Sequence, residues 1–529
     1  MTAPAGVGGL LRLAARTERI PGVAGALVVP VLLGATAAAL TPLYPDRASR
    51  LDLAAGAAAN PVFRVLLGPL RDVSGVGVLS VWRIGLPALL VIAILAAATV
   101  TRNLRGAEAT GRMELLRSAA VAPLAPLVSA VAVALSWAVA TAAPVVVVAA
   151  AVGVPIDTAA GVGAQVLAAA VAGIGIAVVV DQVVTTSRTA LATSAGVLVV
   201  AFLVRGVADA ADGWSWLAWV SPLGWVERID PLGGFSPTGL VACLVLLVVG
   251  VATATVIARR RDLGAGLVHP RPGPDRARLP MRLPTVTAVT IGPSLRPWLG
   301  GSFAYCVLVG LLLASAGSLV GSGGTADLVE KLGRQADLTD ALANTVLGIV
   351  GVVAAAAGVA VVGATRGDDR AGRGEMLLAT AVSPVGRYLA ATGLVVVATI
   401  TVPVLAACGM GLGRALTGTA DGPSTGEMIA AATVGMPATW VVASIGLAAY
   451  GLRPRLVALG WVAVVVDLLL GPLGVLLGAP SWLRDVAPHT HLAATVGSAV
   501  PGVPVASCLA VGVVLAAVGA AALRRRDLT

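Results

Sequence analysis

Apolar residues in this chain come in long unbroken runs separated by short polar breaks, rather than at alternate positions or along one helical face. Runs of about 18 or more residues recur along its whole length, which is the signature of transmembrane helices. Twelve candidate spans follow. Six have cores near 22–42, 84–101, 124–152, 160–182, 189–204 and 238–258, and six near 299–320, 345–364, 386–412, 427–450, 456–478 and 502–523. Open strands are excluded as spanning elements, because lipid cannot satisfy their backbone groups. The predicted fold is an all-α polytopic membrane protein of about twelve transmembrane helices. Between the two sets of spans, positions 270–297 hold seven prolines and five arginines. That composition argues against a helix interior or a core, and predicts a cytoplasmic linker over 263–297.

The two sets repeat one another. Gly111-Arg112-Met113-Glu114-Leu115-Leu116, running on to Pro123, aligns without a gap with Gly372-Arg373-Gly374-Glu375-Met376-Leu377, running on to Pro384; seven of thirteen residues are identical at an offset of 261. Cys243-Leu244 and Arg259 to Leu263 recur as Cys508-Leu509 and Arg524 to Leu528, Ser215-Trp216-Leu217 with Pro222 recurs as Ser481-Trp482-Leu483 with Pro488, and Arg188 matches Arg455. Landmarks in one order at nearly constant offset predict two tandem six-helix modules, 1–262 and 298–529, related by a pseudo-twofold axis. An even number of spans brings each module in and out on the same side. The arginines at Arg12, Arg16 and Arg19, in the loops after spans 2 and 8, and in both triple-arginine ends assign that side, with both termini, to the cytoplasm.

Composition sharpens this picture. The chain is 58% hydrophobic and 12% charged, with a mean hydropathy of +0.95. Its net charge of +10 reads as the positive-inside effect and not as nucleic-acid binding, because the arginines lie at span ends. The one lysine, Lys331, stands between Glu330 and Leu332, so the chain carries no Gly-Lys-Ser/Thr phosphate loop. The four cysteines lie in apolar runs as packing residues, the three histidines form no metal-ligand spacing, and no cleavable signal peptide is expected.

The repeated segment after spans 2 and 8 is the first candidate site. A helix through Glu114 to Val121, opened by Gly111 or Gly372, would place a short polar helix at the cytoplasmic interface, with proline where the next span starts. Its arginine and glutamate would pair with a partner or with each other; the plainer reading is an amphipathic loop anchored to headgroups. The second candidate is Trp214 to Trp225, with four of the ten tryptophans. Trp216, Trp219, Pro222 and Trp225, with Trp482 and Pro488 in the other module, form either an aromatic belt or a re-entrant segment gating the outer end of a pathway. Asp181 and Asp467 are the acids nearest the span interiors; Asp181 is expected near Arg188, and Asp467 as a lone acid that a proton relay could use. Asp369-Arg370-Ala371-Gly372-Arg373 also resembles the loop motif of major facilitator transporters, but its first-module counterpart lacks the Asp-Arg pair.

Taken together, these residues resemble the fused permeases of ABC exporters of the polyketide-antibiotic (tetronasin-type) resistance family. The resemblance rests on Gly111 to Leu116 with Pro123, on Trp219-Val220-Ser221-Pro222-Leu223-Gly224-Trp225, and on Arg453-Pro454-Arg455 ahead of Gly460-Trp461. It weakens at Pro488-His489-Thr490-His491, where the aromatic pattern is lost. The resemblance implies a permease of the bacterial plasma membrane that exports hydrophobic or amphipathic compounds and is not itself an enzyme. Two copies of a separate ABC ATPase would bind ATP and Mg, and the coupling helices would be formed by Arg112, Glu114, Leu115 and Leu116 and by Arg373, Glu375, Met376 and Leu377. The alternative is an ion-coupled secondary drug transporter of the major facilitator type.

Overall fold

The computed structural model describes residues 6–59, 61–117, 121–210, 213–262, 264–268, 282–320, 335–417, 423–472, 474, 480–492 and 502–525. It is 83% helical, and there is no strand among the described residues. Nine helices among them are long and apolar enough to cross a membrane, and a bent pair makes a tenth. The protein is a multi-pass, all-α membrane protein. It divides into two units, Met1–Gly273 and Pro274–Thr529.

The long helices of the first unit are α1 (Arg19–Leu40), α2 (Val76–Asn103), α3 (Ala125–Ala151), α4 (Ile156–Val183), α5 (Ser187–Ala210) and α6 (Thr238–Arg260). α4 lies inside, in contact with α2, α3, α5 and α6. Its alanines, glycines and valines suit that place, because small side chains let helices approach closely where lipid supplies no hydrophobic drive. In the second unit the long helices are α7 (Arg296–Val320), α8 (Gln335–Arg370), α9 (Pro384–Thr417), α10 (Thr425–Val434), α11 (Met436–Leu452), α12 (Ala458–Leu470) and α13 (Gly502–Arg524). α11 takes the inner position there, touching α8, α9, α12 and α13.

Each inner helix meets the last helix of its unit through glycine. A Cβ on Gly250 would lie 2.5 Å from the carbonyl oxygen of Gly175, and one on Gly451 would lie 2.1 Å from that of Gly519. Both distances are shorter than any side chain tolerates, so the α4–α6 and α11–α13 crossings require glycine.

Several boundaries differ from the sequence reading. α2 begins at Val76 instead of 84, so the stretch between the first two spans is shorter than expected, and it folds into the helices Arg47–Ala59 and Pro61–Leu67. The tenth span bends by 43° where α10 meets α11 at Gly435, with Pro437 in the first turn of α11. The eleventh starts as the 3₁₀ turn Pro454–Val457, and α12 ends at Leu470. Its 13 residues rise about 20 Å, short of the ~30 Å hydrocarbon core; most of the remaining expected span lies outside the described residues. Within the expected linker 263–297, the expectation that 270–297 cannot make a helix interior fails at Leu283–Thr290. Pro284 sits in that helix's first turn, Pro293 in the 3₁₀ turn Gly292–Ser294, and Pro297 second in α7. Proline is tolerated at helix starts because its missing N–H would be unpaired there anyway. Residues 263 and 269–281 of that stretch lie outside the described residues. One element was not foreseen. The helix Val7–Thr17 packs Val7 and Leu10 against Ala125, Val121 and Ala122, beside the first repeated segment.

Candidate functional site

The two repeated segments adopt the same local conformation. Gly111 and Gly372 have φ of 68° and 74°, the left-handed region that only glycine occupies cheaply. Each closes a turn by donating its N–H, at 3.0 Å, to the carbonyl of Glu108 or Asp369. Each opens a six-residue helix, Arg112–Arg117 or Arg373–Leu378. The second helix ends at Leu378, short of the run that the sequence suggested, while residues 118–120, next after Arg117, lie outside the described residues. Pro384 begins α9, whereas Pro123 falls in a turn two residues ahead of α3. On the helices Arg112, Glu114 and Glu375 are exposed, Leu377 is half-buried, and the Leu116 side chain lies outside the described residues. Leu115 and Met376, equivalent at the offset of 261, are 75% and 70% exposed.

Sequence reasoning missed the anchor beneath each helix. Glu108 and Asp369 occupy equivalent positions three residues before the glycine. Glu108 accepts from Arg105 at 2.7 Å and pairs with Arg261. Arg105 is fully buried; its Nε donates to the Asp181 carbonyl and its Nη2 to Ala265 O at 3.1 Å. Arg261 also donates to Gln182 Oε1 at 2.7 Å. Glu108 is thereby tied to α4 and to the chain leaving α6. Asp369 instead pairs with Arg387 on α9 and accepts from Tyr450 Oη on α11 at 2.6 Å, while Asp368 holds Arg373. The motif arginine therefore pairs with Asp368, not with the motif glutamate. Gly374 is the one motif position that must be small in this copy, because a Cβ there would strike Arg387 and Asp369.

The tryptophan segment folds as the 3₁₀ turn Ser215–Trp219 followed by the helix Pro222–Glu227. Ser221 caps that helix, accepting from Gly224 N at 3.1 Å, and donates to Ala201 O on α5 at 2.6 Å. Trp216 and Trp219 are exposed, and Trp225 donates to Trp219 O at 2.7 Å. Glu227 faces the buried Arg205, which also pairs with Asp209 at 2.9 Å. Burial, with Asp209 beside it and Arg205 opposing, pushes the Glu227 carboxyl up to about 7. In the second unit Trp482 is exposed, and Pro488 opens a four-residue helix.

Both span acids have partners other than those expected. Asp181 accepts from Thr101 Oγ1 at 2.9 Å and lies by Arg105, while Arg188 is exposed. Asp467 is not alone: its carboxylate meets His489 Nδ1 at 2.6 Å, and His489 Nε2 lies 3.3 Å from Thr439 Oγ1. No local spacing signals a pair 22 residues apart.

The profile of a family described as "Multidrug efflux system permease Rv1217c, C-terminal domain" matches residues 292–524. The chain is also 30% identical, over 523 residues, to the multidrug efflux system permease protein Rv1217c of Mycobacterium tuberculosis (strain ATCC 25618 / H37Rv), covering 98% of this chain and 95% of that protein.

Proposed function

The chain belongs to the family of the multidrug efflux system permease Rv1217c, and from that premise we propose that it is the membrane permease of an ATP-driven exporter of hydrophobic or amphipathic compounds. In this reading an ABC ATPase on a separate chain, in two copies, holds ATP and Mg and supplies the energy. The permease contributes twelve spans in two six-helix modules, with both termini cytoplasmic, and belongs to the tetronasin-type branch.

The observation that carries the reading is the recurrence, at one offset, of a left-handed glycine opening a short helix that exposes an apolar side chain, Leu115 or Met376. An exposed leucine or methionine flanked by Glu114 or Glu375 suits a groove on a partner better than water. The anchors beneath suit transmission. A displacement of the first helix passes through Glu108 to α2, α4 and the chain leaving α6; one of the second passes through Asp369 to α8, α9 and α11. Closure of two docked ATPases would move both helices together and bias the spans between inward and outward access. The lone lysine, outside any phosphate loop, supports placing nucleotide chemistry on the partner.

The test is co-expression with an ABC ATPase encoded beside this chain. Two ATPase copies per permease are expected after purification, and Glu114→Arg with Glu375→Arg should abolish the association. Transport by this chain alone, driven by a pH gradient, would overturn the reading. The ion-coupled alternative has one observation behind it, the buried Asp467–His489 pair. It requires that the chain alone transport when driven by a pH gradient, and that Asp467→Asn abolish that transport.

A further inference from the structure

A cavity of about 560 Å³ opens inside the first unit, between α1, α2, α3, α4 and the tryptophan segment. Its size falls within the ~300–1,000 Å³ of small-molecule sites. Along α2 it runs from Val81 to Ile92, about 16 Å at 1.5 Å per residue. Its two ends differ in chemistry. The deep end is lined by Leu33, Leu89, Ile92, Val145 and Val166; the rim carries Arg71, Asp209, Glu227, Arg228 and Asp230.

Four of the five rim charges sit in ion pairs. Arg71 pairs with Asp230 at 3.1 Å, and Arg205 from behind holds Asp209 and Glu227. Arg228 lies 4.6 Å from the Trp219 ring centre and donates to Ser215 O at 3.1 Å. A ligand end of one net sign gains little from such a balanced rim, whereas a neutral or zwitterionic end finds both donors and acceptors. The wall facing α2 comes from the long outer segment. Trp82 Nε1 donates to Gly68 O at 3.0 Å, Arg64 to Asp209 O at 2.6 Å, and Arg205 to Val65 O. Gly85 of α2 also lines the cavity, and a Cβ there would meet no atom within 4 Å. Glycine costs a helix interior about 1 kcal/mol relative to alanine, and here no close helix contact requires it; what it preserves is space.

We propose that this cavity is a binding site for the exported compound, an amphipathic molecule whose apolar body lies along α2 and whose neutral or zwitterionic end meets the Arg71–Asp230 pair, Glu227 and Arg228. The proposal rests on the export reading for its substrate, and on the cavity alone for its site.

The full chain in phosphatidylcholine vesicles is photolabelled with a dodecylphosphocholine bearing a diazirine in its chain, and modified peptides are mapped by mass spectrometry. Labelling is expected on α2 between Val81 and Ile92, displaced by Nile red, and reduced about tenfold, equivalent to ~1.4 kcal/mol, in Gly85→Trp. Gly85→Leu serves if the tryptophan variant does not fold, and Gly85→Ala should label as wild type. Labelling that ignores these fillings, or that only added phosphatidylcholine displaces, overturns the site. Stronger labelling by a matched dodecyltrimethylammonium probe overturns the assignment of the polar end. If labelling behaves as expected while no ATPase associates and no export occurs, the cavity stands and the export reading falls.

Discussion

The segment after α2 and the segment after α8 share a turn, a short helix and an exposed apolar side chain, yet they are held in different ways. The first rests on a buried network, with Arg105 wholly enclosed between Glu108, Asp181 and Ala265. The second is pinned nearer the surface: the Arg373 side chain that meets Asp368 is 57% exposed, and Tyr450 and Arg387 share Asp369. The contrast separates what the two segments share from what each unit supplies on its own. The glycine turn and the exposed side chain recur; the anchor does not, beyond having a carboxylate at its centre.

The largest effect expected is at Arg105. Arg105→Ala takes one of two cations from the buried Glu108 and the donor from the Asp181 and Ala265 carbonyls, and should destabilise the protein by about 3–5 kcal/mol. Arg373→Ala, which removes a half-exposed cation from the buried Asp368, should cost less, about 1–2 kcal/mol. Thermal unfolding followed by tryptophan fluorescence reads both, and equal losses would erase the contrast. Next come the docking side chains. Leu115→Asp and Met376→Asp should each weaken ATPase association by about tenfold or more, as interface anchors do, and together abolish it; a pull-down in which only one matters would show that the segments dock unequally. Smaller still is Gly111→Ala or Gly372→Ala. No atom lies within 4 Å of a Cβ at either, so the cost is backbone strain of about 1–2 kcal/mol, nearly equal in the two copies. A large inequality in their melting temperatures would mean that the turns are not equivalent.

Apart from this ranking stands an effect of pH at the other ends of the units, where the first places Glu227 and the second His489. The Glu227 carboxyl titrates near 7 in the folded protein, against 4.5 for a free glutamate. Between those values the folded form keeps a proton that the unfolded form has released. Stability should therefore fall as pH rises from about 4.5 to about 7 and level off above. In Glu227→Gln this slope should shrink; a slope that persists unchanged belongs to another group.

The all-α membrane fold was legible because a membrane helix is written as one continuous run, and the two like segments because their landmarks are rare residues at one offset. The glycine that opens each docking helix was legible for the same reason. The anchors were not. Arg105 pairs locally with Glu108, but Arg261 reaches Glu108 across 153 residues, and only the packing of α2, α4 and α6 joins them. Asp467 looked solitary because its partner lies in a short helix after a break. The bend at Gly435 was hidden by the continuity of the apolar run, and the helix at Leu283–Thr290 by prolines that sit where helices begin.

The glycine crossings of α4 with α6 and of α11 with α13 bear on how the units move. Where backbone meets backbone there are no rotamers to reset, and glycine has no side-chain entropy to lose. Such a contact behaves as a plain bearing: it fixes the separation of two helices while leaving sliding along them cheap, which is the geometry of shear and not of hinge motion. A bulkier residue at Gly250 or Gly519 would act as a brake on such sliding without adding an atom to either repeated helix or to the cavity lining.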